Sequence, residues 1–176
     1  MPVIYNDTHK SFKLRAKDTD YMFKVVDDGY LAHVYYGRKV HDEDLEYLLR
    51  LDESPFTPSV NVRDKASFMD SLPFEYPCFG IGDYREPAFK ILDCNGMSCC
   101  DLRYISHRIY KGKPKLAGLP CTFATGQSPC ETLEVTMLDR HAELEATLIY
   151  TAFDTLDVIT RSVLVKNTGT KPCTIT

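Results

Sequence analysis

The chain has 176 residues, 44% apolar and 26% charged, with a formal net charge of -4. That length makes one domain able to bury roughly two-thirds of its unfolded surface, and the balance of apolar to charged residues excludes disorder. The acidic charge excludes a nucleic-acid footprint, and no apolar run approaches the roughly 20 residues of a membrane helix.

Residues 1–36 read as consecutive strands. Val3 and Tyr5, then Phe12 and Leu14, then Tyr21, Phe23 and Val25 recur at period two, with turns at Asn6-Asp7 and Asp27-Asp28-Gly29. Leu31–Tyr36 is a nearly continuous run of apolar, β-branched and aromatic residues ending at Gly37, which predicts a strand buried on both faces. Residues 38–52 break the period. Leu45, Leu48 and Leu49 at i, i+3 and i+4 predict one short helix near 42–50, with Asp42, Glu43 and Asp44 at its positive end and Arg50 near its negative end. Pro55 forbids its continuation. Residues 53–74, with Pro55, Pro58 and Pro73, read as a long irregular loop, a length at which loops are usually functional or disordered.

Residues 75–120 are dense in Tyr, Arg, Gly and Pro. The clearest strands follow. Leu133, Val135 and Met137 alternate with Thr132, Glu134 and Thr136, and Leu144, Ala146, Leu148 and Tyr150 alternate with Glu145, Thr147 and Thr151. Asp139–Ala142 supplies the turn between them, and Val158–Val165 is a further strand before Asn167-Thr168-Gly169. Strands in series predict an antiparallel meander with one wet face. The last residues, TKPCTIT, begin another strand. The whole is an all-β chain, an antiparallel β-sandwich.

Seven cysteines in a chain opening MPVIYNDTHK, without a basic-then-apolar leader, point to reduced thiols in a cytoplasmic protein. Cys94, Cys99 and Cys100 form one loose cluster with no second ligand pair facing it, so no metal is expected.

Four strings go beyond pattern rules: YLAHVYYG at 30–37, GDYREPAF at 82–89, DLRYISHRIYKGKPKLAGLP at 101–120 and DVITRSVLVKN at 157–167. Together they resemble the N-terminal region of the retaining α-galactosidases of glycoside hydrolase family 36, and the resemblance extends from FKLRA at Phe12 to the end of the chain. It implies that residues 1–176 form the N-terminal β-sandwich domain, part of a β-supersandwich, truncated ahead of a catalytic (β/α)8 barrel. In that family the nucleophile lies in a Lys-Trp-Asp word, and this chain has no Trp. The expectation is therefore a domain that is not an enzyme by itself and needs no cofactor. Its role would be to pack on the barrel and help build a homo-oligomer, a tetramer in the parent. The full-length enzyme would act on α-galactoside oligosaccharides.

The resemblance also assigns residues. Arg50-Leu51-Asp52 followed by Phe56-Thr57-Pro58 matches the family's substrate-contacting Asp, placed in a loop that reaches a neighbouring subunit's site; one residue of spacing differs before Phe56. Asp52 is thus a substrate-binding candidate, since a carboxylate accepts paired hydrogen bonds from vicinal sugar hydroxyls. Lys65 is a second, standing where the family has Arg and lacking the planar fork. Asp83 and Arg85, at i and i+2 of an extended strand, and Tyr84 between them read as interface or structural residues, as does His107 among apolar neighbours. Lys111, Lys113 and Lys115 read as a solvated loop tip. The alternative is a stand-alone carbohydrate-binding module, for which 11 Tyr supply platforms and the lack of Trp removes the best one. Architecture alone does not separate the two.

Overall fold

The computed structural model describes residues 2–41, 44–49, 52–53, 66–67, 69, 71–80, 82–118 and 120–176, with backbone only at 52–53 and 66–67. Two four-stranded antiparallel sheets carry the fold. The first runs β1 (Val3–Asn6), β2 (Ser11–Arg15), β3 (Thr19–Val25) and β4 (Leu31–Arg38) in chain order. The second is an equally sequential meander of β8 (Arg103–Lys111), β9 (Cys130–Asp139), β10 (Leu144–Phe153) and β11 (Ile159–Asn167). Two-residue pairs complete it: β5 (Asp52–Glu53) with β6 (Ala66–Ser67), and β7 (Ile91–Leu92) with β12 (Thr174–Ile175). The expected strand within TKPCTIT is therefore this short β12.

Period-two patterning builds the core. Phe12, Leu14 and Phe23 from the first sheet meet Leu133, Val135, Met137, Leu144, Ala146, Leu148 and Tyr150 from the second in one buried cluster. Rings bridge the layers, with Phe23 and Tyr150 centroids 5.2 Å apart. The architecture is the expected all-β sandwich.

Three local expectations change. Leu31–Tyr36 does not stay buried on both faces: it forms the edge strand β4, and burial fades from Leu31 and Ala32 to Tyr36, which is 68% exposed. A bulge at Val34 shifts its register, pairing Met22 with Tyr35 but Phe23 with His33. His33 and Tyr36 consequently share the face of Tyr21, their rings 4.8 and 5.7 Å from it. The helical pattern near 42–50 contracts, among the described residues, to a single 3₁₀ turn at Glu46–Leu48 without a side-chain N-cap. Of the loop predicted over 53–74, residues 54–65, 68 and 70 lie outside the described residues, and the described part includes a strand pair, Asp52 opposite Ser67 and Glu53 opposite Ala66.

The outer face of the meander is only partly wet. Thr132 and Thr151 are buried there and share a 2.8 Å hydroxyl contact, while Leu164 on the edge strand β11 is 60% exposed.

Candidate functional site

A small second core sits on the outer side of the first sheet, apart from the main one. Tyr30, Ala32, Met69 and Leu72 are buried together, with Val26, Leu49 and Phe74 packed against them. Leu49 precedes the β5–β6 hairpin and Met69 and Leu72 follow it, so both arms of the hairpin meet in one apolar cluster. This fixes the base of the segment holding the sugar-binding candidates. Asp52 stands in the stem, with its backbone opposite Ser67. Its side chain, and Lys65 entirely, lie outside the described residues.

Asp83 and Arg85 adjoin that base. They sit in a tight turn rather than the extended strand expected, closed by Gly80 and Asp83 exchanging backbone bonds of 2.9 and 3.1 Å. Gly80 and Gly82 take φ of 97° and 93°, which side-chain-bearing residues adopt at a cost. The turn buries Asp83 and folds Arg85 back on it, Nε to Oδ1 at 2.8 Å and Nη2 to Oδ2 at 3.1 Å. Tyr84 between them is exposed, its ring edge-on to Phe79 at 5.7 Å.

His107 lies elsewhere, in the interface between the sheets. Its ring packs 4.1 Å from Tyr5 and 4.9 Å from Phe12 by centroids, and its Nδ1 is 2.7 Å from the Tyr104 hydroxyl. Residues i and i+3 of a regular strand face opposite ways; the bulge at Ile105 puts Tyr104 and His107 on the same side. Burial lowers the imidazole pKa below 6.5, so the neutral ring is the favoured form.

Sequence reading missed the densest polar cluster. Glu75 is buried where the sheets meet and accepts from the hydroxyls of Tyr21 at 2.7 Å and Tyr150 at 2.6 Å. Arg161 lies 3.1 Å from its Oε1 and donates to its backbone carbonyl at 2.6 Å. Burial, and then the Glu75 charge, push both tyrosines well above their ordinary pKa, keeping their protons as donors. His33 Nδ1 stands 3.4 Å from Oε2 without a hydrogen bond. A cleft of about 160 Å³ beside this hub is lined by Tyr21, Tyr36, Tyr150, Asp157 and Arg161.

Retaining glycoside hydrolysis needs two carboxylates about 5–5.5 Å apart and free to react. Among the described residues, each buried carboxylate is occupied as an acceptor. Asp20 takes Arg15 and the Val40 N–H, Glu75 the two tyrosines, and Asp83 the Arg85 fork. Glu131 takes the Val3 N–H, and Asp139 those of Asp101, His141 and Ala142.

Known proteins place the chain. The family model for the glycosyl hydrolase family 36 N-terminal domain matches residues 29–176. Alpha-galactosidase AgaA of Geobacillus stearothermophilus is 44% identical over 170 residues, covering 96% of this chain and 23% of that protein. The solved galactosidase domain of the alpha-galactosidase-sucrose kinase AgaSK superposes with a TM-score of 0.92 at 39% identity, covering 98% of this chain and 24% of that one. A variant of AgaA solved in complex with raffinose gives 0.88 at 40% identity, covering 94% and 23%. The chain thus spans about a quarter of the length of these relatives. It belongs to glycosyl hydrolase family 36, as the N-terminal domain.

Proposed function

We propose that this chain serves as the non-catalytic N-terminal part of a retaining α-galactosidase that cleaves terminal α-galactosides of the melibiose and raffinose type. In this reading it packs on a separate catalytic barrel, takes part in a homo-oligomer, and lends Asp52 to the sugar site of a neighbouring subunit. The observation that carries the reading is the hairpin: Asp52 stands in a paired stem whose two arms converge on the Leu49, Met69 and Leu72 cluster. Such pairing ties the backbone of Asp52 to the scaffold, as a residue offered to another subunit requires. Support also comes from AgaA, a variant of which is solved in complex with raffinose.

The chemistry is recognition. An ionised carboxylate accepts from two adjacent sugar hydroxyls and holds the ring while the barrel's own carboxylates carry out double displacement. In the full-length protein, Asp52→Ala should lower kcat/KM for raffinose about 10- to 100-fold, the equivalent of one charge-assisted contact of about 1.5–3 kcal/mol. The unfolding midpoint should stay put. Wild-type kinetics from a folded Asp52→Ala enzyme would remove the residue from the site.

A further inference from the structure

We infer that the Asp83–Arg85 pair is a positioning device for the β5–β6 hairpin, and through it a determinant of sugar affinity in the full-length protein. The inference rests on the reading of Asp52 given above.

One guanidinium performs two tasks. Towards its own turn, Arg85 closes a fork on the buried Asp83 carboxylate, which also accepts the Arg85 backbone N–H at 3.1 Å. Towards the hairpin, its Nη2 donates to the carbonyl of Leu72 at 2.7 Å and reaches that of Met69 at 3.4 Å. Those carbonyls belong to the arm leaving β6, whose Ser67 stands opposite Asp52. Asp83 is 2% exposed, so the fork is held from behind by a charge that cannot swing into solvent.

The turn that presents the pair is itself constrained. A side chain at Gly80 would collide with the Cys99 sulfur at 2.6 Å, and the residue's φ is left-handed. The ladder from hairpin to scaffold is therefore short: Asp52 to Ser67 by strand pairing, the following carbonyls to Arg85, and Arg85 to Asp83 on a glycine turn.

Position rather than global stability is the consequence, because the cluster of Tyr30, Ala32, Met69 and Leu72 already holds the hairpin base by burial and the main core lies elsewhere. Burial is non-directional, whereas a guanidinium held in plane by its fork on Asp83 aims Nη2 at the Leu72 carbonyl along a set direction. Displacements of about 1 Å in a binding constellation are enough to cost up to 100-fold.

The test uses the full-length protein with Arg85→Ala, Arg85→Lys, Asp52→Ala and the Asp52→Ala/Arg85→Ala double variant, assayed on raffinose. Arg85→Ala should raise KM about tenfold with kcat nearly unchanged, and Arg85→Lys, which keeps the charge without the fork, should not restore it. The double variant should bind no worse than Asp52→Ala alone, because both changes act through one contact. Amide exchange should quicken at 66–72 and stay unchanged at 133–137.

An Arg85→Ala enzyme with wild-type KM, beside an impaired Asp52→Ala, overturns the inference. So does an additive double variant. If Asp52→Ala is itself silent, the reading of Asp52 falls, and exchange at 66–72 then decides the anchoring alone: unchanged rates overturn it, and local acceleration sustains it. Should Arg85→Ala fail to fold, Arg85→Lys carries the same comparisons.

Discussion

The two sheets share one core yet use their outer faces in opposite ways. In β2 and β3 the residues pointing away from the core include Lys13, Asp20 and Lys24, all buried. They are covered by the irregular chain that follows β4. Lys13 donates to the carbonyl of His41 at 2.8 Å, Asp20 accepts the Val40 N–H at 2.9 Å, and Lys24 reaches Glu46 at 2.6 Å. The second sheet turns Arg108, Leu164 and Ile105 to solvent instead. A segment without a ladder partner must still satisfy its backbone, and side chains with several donors or acceptors are the means available on a strand face. Charge alternating with apolar residues is therefore not proof of a wet face. Here it marks the face on which the hairpin base also packs, so the doubly covered sheet is the one that carries the candidate site.

The sharpest way to break this comparison is at the point where the sheets are joined. Glu75→Ala leaves Arg161 beside two tyrosine hydroxyls that have lost their acceptor. Each buried donor left without its acceptor costs about 1–3 kcal/mol, and two hydroxyls lose theirs, whereas Arg161, 41% exposed, can turn to water. Urea unfolding should show a loss of that order, and Tyr21→Phe, which spares the Tyr150 bond, a much smaller one. A loss below about 1 kcal/mol from Glu75→Ala, the net worth of an ordinary hydrogen bond, would show that apolar contact alone joins the layers.

A second test addresses the covered face. Burial pushes the Asp20 carboxyl up, but the Arg15 guanidinium, the Val40 N–H and Lys13 together outweigh it and hold the pKa below the usual 3.8. A depressed carboxylate adds stability that is fully present above its unfolded pKa and disappears as pH falls through the folded one. Asp20→Asn should cost about 1.5–3 kcal/mol at pH 7, the range for hydrogen bonds to a charged group. The gap between variant and wild type should narrow below about pH 4, as the wild-type carboxylate takes up its proton. A gap that widens with acid would reverse the assigned sign. Unfolding midpoints measured between pH 2 and pH 7 decide it.

What the sequence disclosed depended on range. In β9 and β10 the alternation of Leu133, Val135 and Met137, and of Leu144, Ala146, Leu148 and Tyr150, predicts the buried face as found, because a regular antiparallel pair preserves period two. In β8 and β4 the bulges at Ile105 and Val34 reverse the phase midway, and no single strand announces its partner's extra residue. The run Leu31–Tyr36 looked doubly buried because apolar content says nothing of edge position. Glu75 was illegible for another reason: Tyr21, Tyr150 and Arg161 lie 54, 75 and 86 residues away in sequence. Asp52 was reached through family wording alone, since one aspartate among prolines carries no pattern of its own. Asp83 and Arg85 were legible as a pair, but their turn was hidden in the φ of Gly80 and Gly82.

The smallest effect is expected on the open face, at the pair that most resembles Asp20 and Arg15 on paper. Arg108 Nε lies 2.6 Å from Glu134, a short distance for an ion pair, and Tyr110 adds a second donor to the same carboxylate at 2.6 Å. Yet the Arg108 side chain is 71% exposed, so water and counterions already satisfy most of what the partner offers. Arg108→Ala should leave the urea midpoint essentially where it was, and raising the salt concentration should erase what difference remains. Glu134 would keep the Tyr110 hydroxyl, whose pKa burial and Glu134 push up to about 12. A loss as large as that of Asp20→Asn, persisting in high salt, would mean the outer face of the second sheet is covered in solution. The contrast between the two sheets would then vanish.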